Sequence, residues 1–356
     1  MIAWPLEDVD APVAESTTVS PAVTETEWDD FVNRHPDATG YHLWRWRSVI
    51  ERAFGHETIY LAARRGHAIV GVLPAVMMKS WLFGRAMVSV PFVNYGGVLA
   101  TDERDARALL DQAANVAARE RLAHLQLRHL TRRFDDLPVR RHKVTMRLAL
   151  PPDATQAWER LDRKVRNQVK KAQKNELTTE TGGRELLRAF YTVFASNMRD
   201  LGTPVYGRRF FDEVFDQFPL QTRLFLVRYR GAPVAAAIGY TYRDVLAIPW
   251  ASSTRASRPL CANTLLYWHA ILHAIADGRA TLDFGQSTPG DGGFQFKRQW
   301  GAEPSPLYWE YRLVTGGRLP DQSPANPKFK PAIAMWKRLP LRVATWLGPS
   351  IVRSIP

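Results

Sequence analysis

Two stretches of this chain share one layout: Leu226-Val-Arg-Tyr-Arg-Gly231-Ala-Pro-Val-Ala235 and Leu61-Ala-Ala-Arg-Arg-Gly66-His-Ala-Ile-Val70. In each, a leucine stands five residues before a turn glycine, and branched apolar residues resume three residues after it. Glycine supplies the positive φ of a tight hairpin, so each stretch predicts strand, turn, strand. The segments downstream of the two hairpins also correspond. Residues 105–121, rich in alanine and leucine, predict a helix running into the alternating strand Ala123-His-Leu-Gln-Leu-Arg128. Residues 263–276 predict a helix running into Ala280-Thr-Leu-Asp-Phe-Gly285. A hairpin, helix and strand occurring twice implies two similar α/β lobes. The proline pair after Leu150 marks a boundary. The expected plan is a loose arm over 1–26, a first lobe over 27–150, a second over 151–314 closing with the strand-like Leu307–Val314, and a basic tail over 315–356.

A length of 356 residues suits two domains rather than one. The composition, 46% hydrophobic and 23% charged, is globular and excludes disorder for the bulk of the chain. The single cysteine, Cys261, excludes an internal disulfide framework and a multi-cysteine metal site, and suits a reducing compartment. It is expected to be a small buried filler. No run of about twenty apolar residues predicts a transmembrane helix, and the N-terminus lacks a signal peptide's basic start and apolar centre, so a cytoplasmic location is expected. The net charge of +13 favours anionic partners: nucleic acid, nucleotide-linked substrates, or an anionic membrane face.

Several segments can carry chemistry. Trp158–Asn175 predicts one amphipathic helix, with Leu161, Val165, Val169 and Ala172 as its apolar stripe. Arg163, Arg166, Lys170 and Lys174 form a cationic row suited to phosphates, while Glu159 and Asp162 sit in the first turn, where the helix dipole favours anions. Leu201-Gly-Thr-Pro-Val-Tyr-Gly-Arg-Arg-Phe-Phe211 breaks the chain after a helix and can wall a pocket, with Thr203 and Tyr206 as candidate contacts. Asp283-Phe-Gly-Gln-Ser-Thr-Pro-Gly-Asp-Gly-Gly293 puts four glycines after a strand, where backbone amides can approach a ligand. It lacks a phosphate-loop Gly-Lys-Ser/Thr ending. Its candidate residues are Asp283, Phe284, Gly285 and Ser287, followed by Lys297 and Trp300. Asn263 opens a helix as a substrate contact or an N-cap.

No zinc-protease pattern accompanies His269 and His273, whose expected role is packing, and no Gly-X-Ser-X-Gly elbow is present. Hydrolase, kinase and dehydrogenase chemistry all lose support. The tail carries Lys328, Lys330, Lys337, Arg338, Arg342 and Arg353 with no acid after Asp321, interleaved with Trp336 and Trp346. It can pack on the body, lie on an anionic membrane face, or do both.

Tyr41-His-Leu…Trp46, Ile50-Glu-Arg-Ala-Phe-Gly-His56, Tyr95-Gly-Gly97, Leu201-Gly-Thr-Pro-Val205, Asp283-Phe-Gly285, Phe296-Lys…Trp300-Gly301 and the tail from Asn326 to Pro349 together resemble a FemAB-like branch. Its members accompany exosortase (PEP-CTERM) and exopolysaccharide systems. The resemblance spans nearly the whole chain from Trp28. It implies an α/β (α+β) fold of two tandem GNAT-like acyltransferase lobes, each a mixed, mostly antiparallel sheet flanked by helices. It also implies transfer of an acyl or aminoacyl group to an amine of an anionic envelope or nucleotide-linked precursor. The implied co-substrate is acyl-CoA or aminoacyl-tRNA, with no tightly bound cofactor. The long heptad arm that peptidoglycan-bridge enzymes carry for tRNA is absent here. Under this reading Asp283 and Lys297 are the catalytic candidates in the second lobe, and Arg163, Arg166, Lys170, Thr203, Tyr206, Asn263, Phe284, Gly285, Ser287 and Trp300 are the binding candidates. An inactive binding protein for an envelope precursor and an RNA-binding protein are the competing readings.

Overall fold

A computed structural model describes residues 16–80, 84–316, 319 and 330–355. In chain order the first half contains β1 (Thr18–Ser20), α1 (Glu25–Arg34), α2 (Trp46–Phe54), β2 (Glu57–Arg65), β3 (Ala68–Ser80), β4 (Gly84–Ser89), β5 (Leu99–Ala100), α3 (Glu103–Arg119), β6 (His124–His129), β7 (Val139–Arg140) and β8 (Val144–Ala149). The second half contains α4 (Ala154–Arg160), α5 (Arg163–Lys174), β9 (Leu177–Gly182), α6 (Leu187–Leu201), α7 (Arg208–Gln217), β10 (Thr222–Tyr229), β11 (Ala232–Tyr242), β12 (Val245–Ser253), α8 (Ala262–Ala276), β13 (Thr281–Ser287), α9 (Gly292–Arg298), β14 (Glu303–Pro306), β15 (Tyr308–Leu313), α10 (Lys330–Trp336) and α11 (Leu341–Val352). Short 3₁₀ turns cover Gly40–His42, Arg184–Leu186 and Arg255–Leu260.

The strands form two sheets of like design. One runs β1-β2-β3-β4-β6-β15-β7, with β5 also on β3; the other runs β14-β8-β13-β12-β11-β10-β9. Both are antiparallel except for one step, β4 with β6 in the first and β12 with β13 in the second. The matching hairpins β2–β3 and β10–β11, each followed by its helix and parallel strand, bear out the two-lobed α/β reading.

The lobe boundaries need correction. β8, expected to close the first lobe, pairs with β13 in the second sheet, Arg147 opposite Asp283. β15, expected to close the second lobe, pairs with β6 in the first, Trp309 opposite Arg128. The lobes exchange a strand. Alternation of apolar residues fixes which face of a strand is buried but not which sheet edge it joins, so a cut by sequence order misses the exchange.

The arm is also shorter than expected. Residues 18–20 pair with β2, and Thr24 caps α1 in a reciprocal box with Glu27; residues 1–15 lie outside the described residues. The expected helix over 158–175 breaks at Leu161, because Asp162 turns out to be the N-cap of α5, accepting from the Lys164 amide at 2.8 Å. Glu159 belongs to the preceding α4. The stripe itself holds: Leu161, Val165, Val169 and Ala172 are all buried. The glycine-rich loop shrinks, since β13 continues to Ser287 and α9 begins at Gly292.

Three apolar clusters hold the body together. α3 covers the outer face of the first sheet with Leu109, Leu110 and Ala113. α5 and α8 cover the outer face of the second. Between the sheets lie α1, α2, α6 and α7, where Trp46 packs on Phe218 and Tyr240, and Tyr41 on Tyr95 and Tyr240. This middle layer draws on both halves of the chain, so the lobes share one interior. Of the tail, Lys328 and Asn326 lie outside the described residues, while α10 and α11 pack back on the body. α11 lies on α6, and Arg199 donates to the Leu339 carbonyl at 3.2 Å.

Candidate active site

The parallel step in the second sheet is short. β12 and β13 pair only over residues 245–247 and 281–283, then separate. At the point of separation Gly285 has φ +75, and a Cβ there would lie 3.1 Å from the Ile248 carbonyl oxygen. Both constraints require glycine. Beyond Ala247, β12 stays paired with β11 up to Ser253, and the Thr254 amide donates to the Val234 carbonyl at 2.8 Å. Alternation along an antiparallel pair then turns the amides of Ala251 and Ser253 toward the gap. Pro249, in the same phase, has no amide to leave unpaired there.

Asp283 sits at the mouth of this gap and is fully buried. One carboxylate oxygen accepts from the Thr145 hydroxyl at 2.6 Å and the Gly285 amide at 2.7 Å; the other accepts from the Tyr95 hydroxyl at 2.7 Å and lies 3.9 Å from Arg147 Nε. Burial, with the Asp283 charge beside it, pushes the Tyr95 hydroxyl pKa far above its ordinary value, so the bond keeps its proton on tyrosine. With three donors on it and no exposed surface, this carboxylate is closed to solvent. The geometry makes Asp283, a catalytic candidate in the sequence, a residue that ties β13 to β8 and to the first lobe.

Lys297, on α9, donates to the carbonyls of Gly285 and Gln286 at 3.1 and 2.8 Å. Desolvation lowers its pKa to about 8. Two of its three protons hold the bend after Gly285, leaving one to meet a ligand. Beneath it Tyr267, Phe284, Phe296 and Trp300 pack ring against ring, which seats α9 on α8 and β13. Phe284 and Trp300 are thus core residues. Ser287 is buried at the end of β13.

α8 follows β12 and starts near the gap. Its N-cap is Cys261, in the left-handed region at φ 59, and no side chain caps the helix. Cys261 is a half-buried turn residue rather than the expected buried filler, because the chain must reverse there from the 3₁₀ turn into α8. Asn263 lies in the first turn, two residues beyond the cap position. Arg255 and Arg258 are exposed just before it. α5 runs beside α8, joined by Thr264 donating to Gln168 at 3.2 Å. Its outer side carries an open groove of about 510 Å³ lined by Asp162, Arg163, Lys164, Asn167, Gln168 and Lys171. Of the expected row Arg163, Arg166, Lys170 and Lys174, only Arg163 lines this groove. Lys170 instead stacks over Trp158, 5.8 Å from the ring centroid, and Arg166 is half-buried.

A second opening lies between the lobes. Cavities of about 390 and 160 Å³ share Pro36, Ala38, Thr39, Tyr95 and Arg147 as lining, with Arg133 at one end and Arg243 at the other. His129 lines the larger one but is fully engaged: Nδ1 meets buried Glu310, and Nε2 accepts from the Val98 amide at 2.8 Å. His42 likewise accepts from the Thr39 amide at 3.0 Å, and desolvation lowers its pKa to about 4. Both serve as struts of the cleft wall.

The structure therefore gathers Asp283, Gly285, Ser287 and Lys297 at the β13–α9 corner, and Arg163 and Asn263 beside the start of α8. It does not bring Thr203 and Tyr206 there. They lie on the opposite face of the second sheet, where Tyr206 packs against Phe92, Phe194 and Phe210. Sequence reasoning missed Tyr95, Thr145 and Arg147, because each comes from a segment assigned to the other lobe. The available signal was the Gly96–Gly97 pair after Tyr95 in an otherwise apolar run. A Cβ on Gly97 would overlap the His129 ring, so the chain passes too close there for any other residue.

Comparisons with known proteins agree with this architecture. Residues 159–298 match the family model of the acetyltransferase (GNAT) domain. No curated protein matches the sequence significantly. Among solved structures, FemX superposes with a TM-score of 0.64 at 15% identity, covering 83% of this chain and 96% of that one. The C-terminal domain of a putative lysylphosphatidylglycerol synthetase from Agrobacterium fabrum gives 0.56 at 14%, covering 82% and 91%. A tandem GNAT protein from the clavulanic acid biosynthesis pathway gives 0.54 at 12%, covering 85% and 100%. At these identities the structures establish the fold. Residues 159–298 thus resemble a GNAT acetyltransferase domain, and the chain as a whole has a two-lobed fold like that of FemX.

Proposed function

We propose that this protein is an N-acyltransferase whose second lobe holds a phosphate-bearing acyl donor and passes the acyl group to an amine presented from the cleft between the lobes. The observation that carries the reading is the joint geometry at β12, β13 and α8. A gap with two inward backbone amides lies next to an uncapped helix N-terminus flanked by arginines and lysines. Helix N-termini with free amides favour phosphate, and gap-facing amides suit an acyl carbonyl.

The chemistry then needs little from side chains. The donor's acyl arm lies along β12, with its carbonyl oxygen on the Ala251 or Ser253 amide. An amine attacks the carbonyl carbon, negative charge gathers on that oxygen, and the thiol or hydroxyl of the donor leaves. The amine proton passes to water, and positioning supplies most of the acceleration. Arg147, Arg133 and Arg243 along the cleft favour an anionic acceptor, which suits an envelope or nucleotide-linked precursor. Coenzyme A thioester is the donor that the groove beside α8 fits best. Aminoacyl-tRNA shares the phosphate chemistry and is the second candidate.

The test is transfer itself. Purified protein is offered acyl-CoA thioesters or aminoacyl-tRNA, each with amine-bearing muropeptide and amino-sugar nucleotide acceptors. Release of free thiol or of deacylated tRNA is followed with and without acceptor. Acceptor-dependent release from one donor supports the reading and names the donor. Tight acceptor binding with no release from any donor would replace the enzyme by a binding protein.

A further inference from the structure

We infer that α10 and α11 form a docking surface for an anionic lipid membrane. Among the described residues four large apolar side chains stand mostly in water: Leu201, Leu220, Met335 and Trp346. Met335 is on α10 and Trp346 on α11, the latter 76% exposed. Leu201 adjoins Gly202, against which Ile333 and Lys337 of the tail pack. Three of the four thus gather on one small part of the molecule, although a folded chain has every reason to hide them.

These helices are not loose. α11 turns Ala344, Gly348 and Val352 inward, and Gly348 sits so close on Val205 that a Cβ would lie 2.9 Å from its backbone. His56 bonds the Arg353 carbonyl at 2.7 Å, fixing the far end. With that stripe used for packing, the opposite positions Arg342, Trp346 and Ser350 face out. Lys330, Lys337, Arg338 and Arg353 are exposed around them, and the sequence from 322 to 356 contains no acid. None of these cations forms an ion pair with a described residue.

Exposed apolar side chains set among unpaired cations suit one environment closely. An indole prefers the headgroup level of a bilayer, and lysine and arginine beside it meet anionic headgroups while their stems cover apolar surface. A surface pressed against an acidic protein would gain from the charges but would need a shaped recess for Trp346. A lipid interface needs none. No helix among the described residues is long and apolar enough to span a membrane, so the contact is peripheral.

Vesicle co-sedimentation tests this independently of any turnover, using the full-length protein. Mixed phosphatidylglycerol–phosphatidylcholine vesicles should carry it down at low salt, and pure phosphatidylcholine vesicles should not. Arg338→Glu with Arg342→Glu should weaken sedimentation by more than about tenfold, given the worth of each cation near such a surface. Trp346→Ser should also weaken it, leaving the melting temperature unchanged because the side chain makes no interior contact. Charge reversal on α5, at Lys164 and Lys171, should leave sedimentation intact. Equal pelleting by the tail variants and wild type would overturn the inference. So would loss of pelleting on reversal of α5 alone, which would assign it to general cationic charge. No pelleting of wild type with anionic vesicles would overturn it outright.

Discussion

The two lobes are built to one plan and differ where a donor would bind. In the first lobe, the helix after the parallel strand begins among carboxylates. Asp102 caps α3, and Glu103 and Asp105 fill its first turn, with Arg65 bound to both aspartates. An arriving phosphate would meet negative charge. The strand gap is also filled from within: the Ser89 hydroxyl accepts from the Arg128 amide at 2.9 Å, and the Gly96 amide donates to the Arg128 carbonyl at 3.0 Å. In the second lobe the helix has no side-chain cap, its surroundings are cationic, and β12 and β13 stay unpaired beyond Ala247 and Asp283, with Gln286 donating to the Asn94 carbonyl. On the proposed reading, the first lobe braces and the second binds the donor. The bracing is direct, since residues 90–97 reach across from the first lobe and place Tyr95 on Asp283.

The largest expected effect comes from cutting that brace. Asp283→Ala leaves the Tyr95 and Thr145 hydroxyls and the Gly285 amide buried without a partner. It should cost roughly 3–5 kcal/mol in urea denaturation. Tyr95→Phe removes one bond to a charged group and should cost about 1.5–3 kcal/mol. If the two losses add fully in the double variant, Tyr95 and Asp283 are not coupled, and the first lobe does not brace the second through this pair. Gly97→Ala comes next. Its new methyl must displace His129 from Glu310 and the Val98 amide, at about 1–3 kcal/mol of overpacking. Because Gly97 and His129 line the cleft proposed for the acceptor, the acceptor KM of the protein still folded should rise while the donor KM stays near wild type.

Charge is the next lever, and it acts on binding rather than folding. Arg163→Glu with Lys171→Glu, both exposed, should raise the donor KM about tenfold or more while the melting temperature barely moves. Asn263→Asp is a sharper test, because it gives α8 the acidic first turn that α3 has. It should raise the donor KM severalfold and leave the acceptor KM alone. An unchanged donor KM in both variants would place the donor elsewhere.

The legibility of each feature in the sequence depended on how local its signal is. The hairpins announced themselves, because Gly66 and Gly231 sit at fixed distances from apolar runs and that pattern is local. The stripe of Val165, Val169 and Ala172 was equally plain. The exchange of β8 and β15 was not, since strand partners are chosen by the whole fold. With it went Thr145 and Arg147, which belong to the site only because β8 lies beside β13. Asp283 was found for a sound reason, its place at a strand end before glycine, but its surroundings were not legible. A sequence shows that a carboxylate is there, but not that three donors already surround it. Thr203 and Tyr206 drew attention as a loop rich in turn formers and aromatics. Structurally that loop is a wall between α6, α7 and α11.

The most discriminating prediction for the corner itself concerns Lys297. Its pKa falls from an ordinary 10.5 to about 8 because burial disfavours the charged form, only partly offset by Asp283 and Asp291. In the unfolded chain the lysine holds its proton up to its ordinary pKa. Between about 8 and 10.5 the unfolded state therefore binds more protons than the native state, so this group's contribution to stability rises with pH across that window and is flat below it. The slope is at most about 1.4 kcal/mol per pH unit. Lys297→Met removes the group, so subtracting the variant's stability from wild type at each pH cancels the tyrosines that also titrate at the alkaline end. The difference should be steady from pH 6 to 7.5 and shift in favour of wild type toward pH 10. A flat difference would mean that Lys297 stays hydrated and does not clamp the Gly285–Gln286 carbonyls, and that the bend opening the second lobe's gap is held by Asp283 alone.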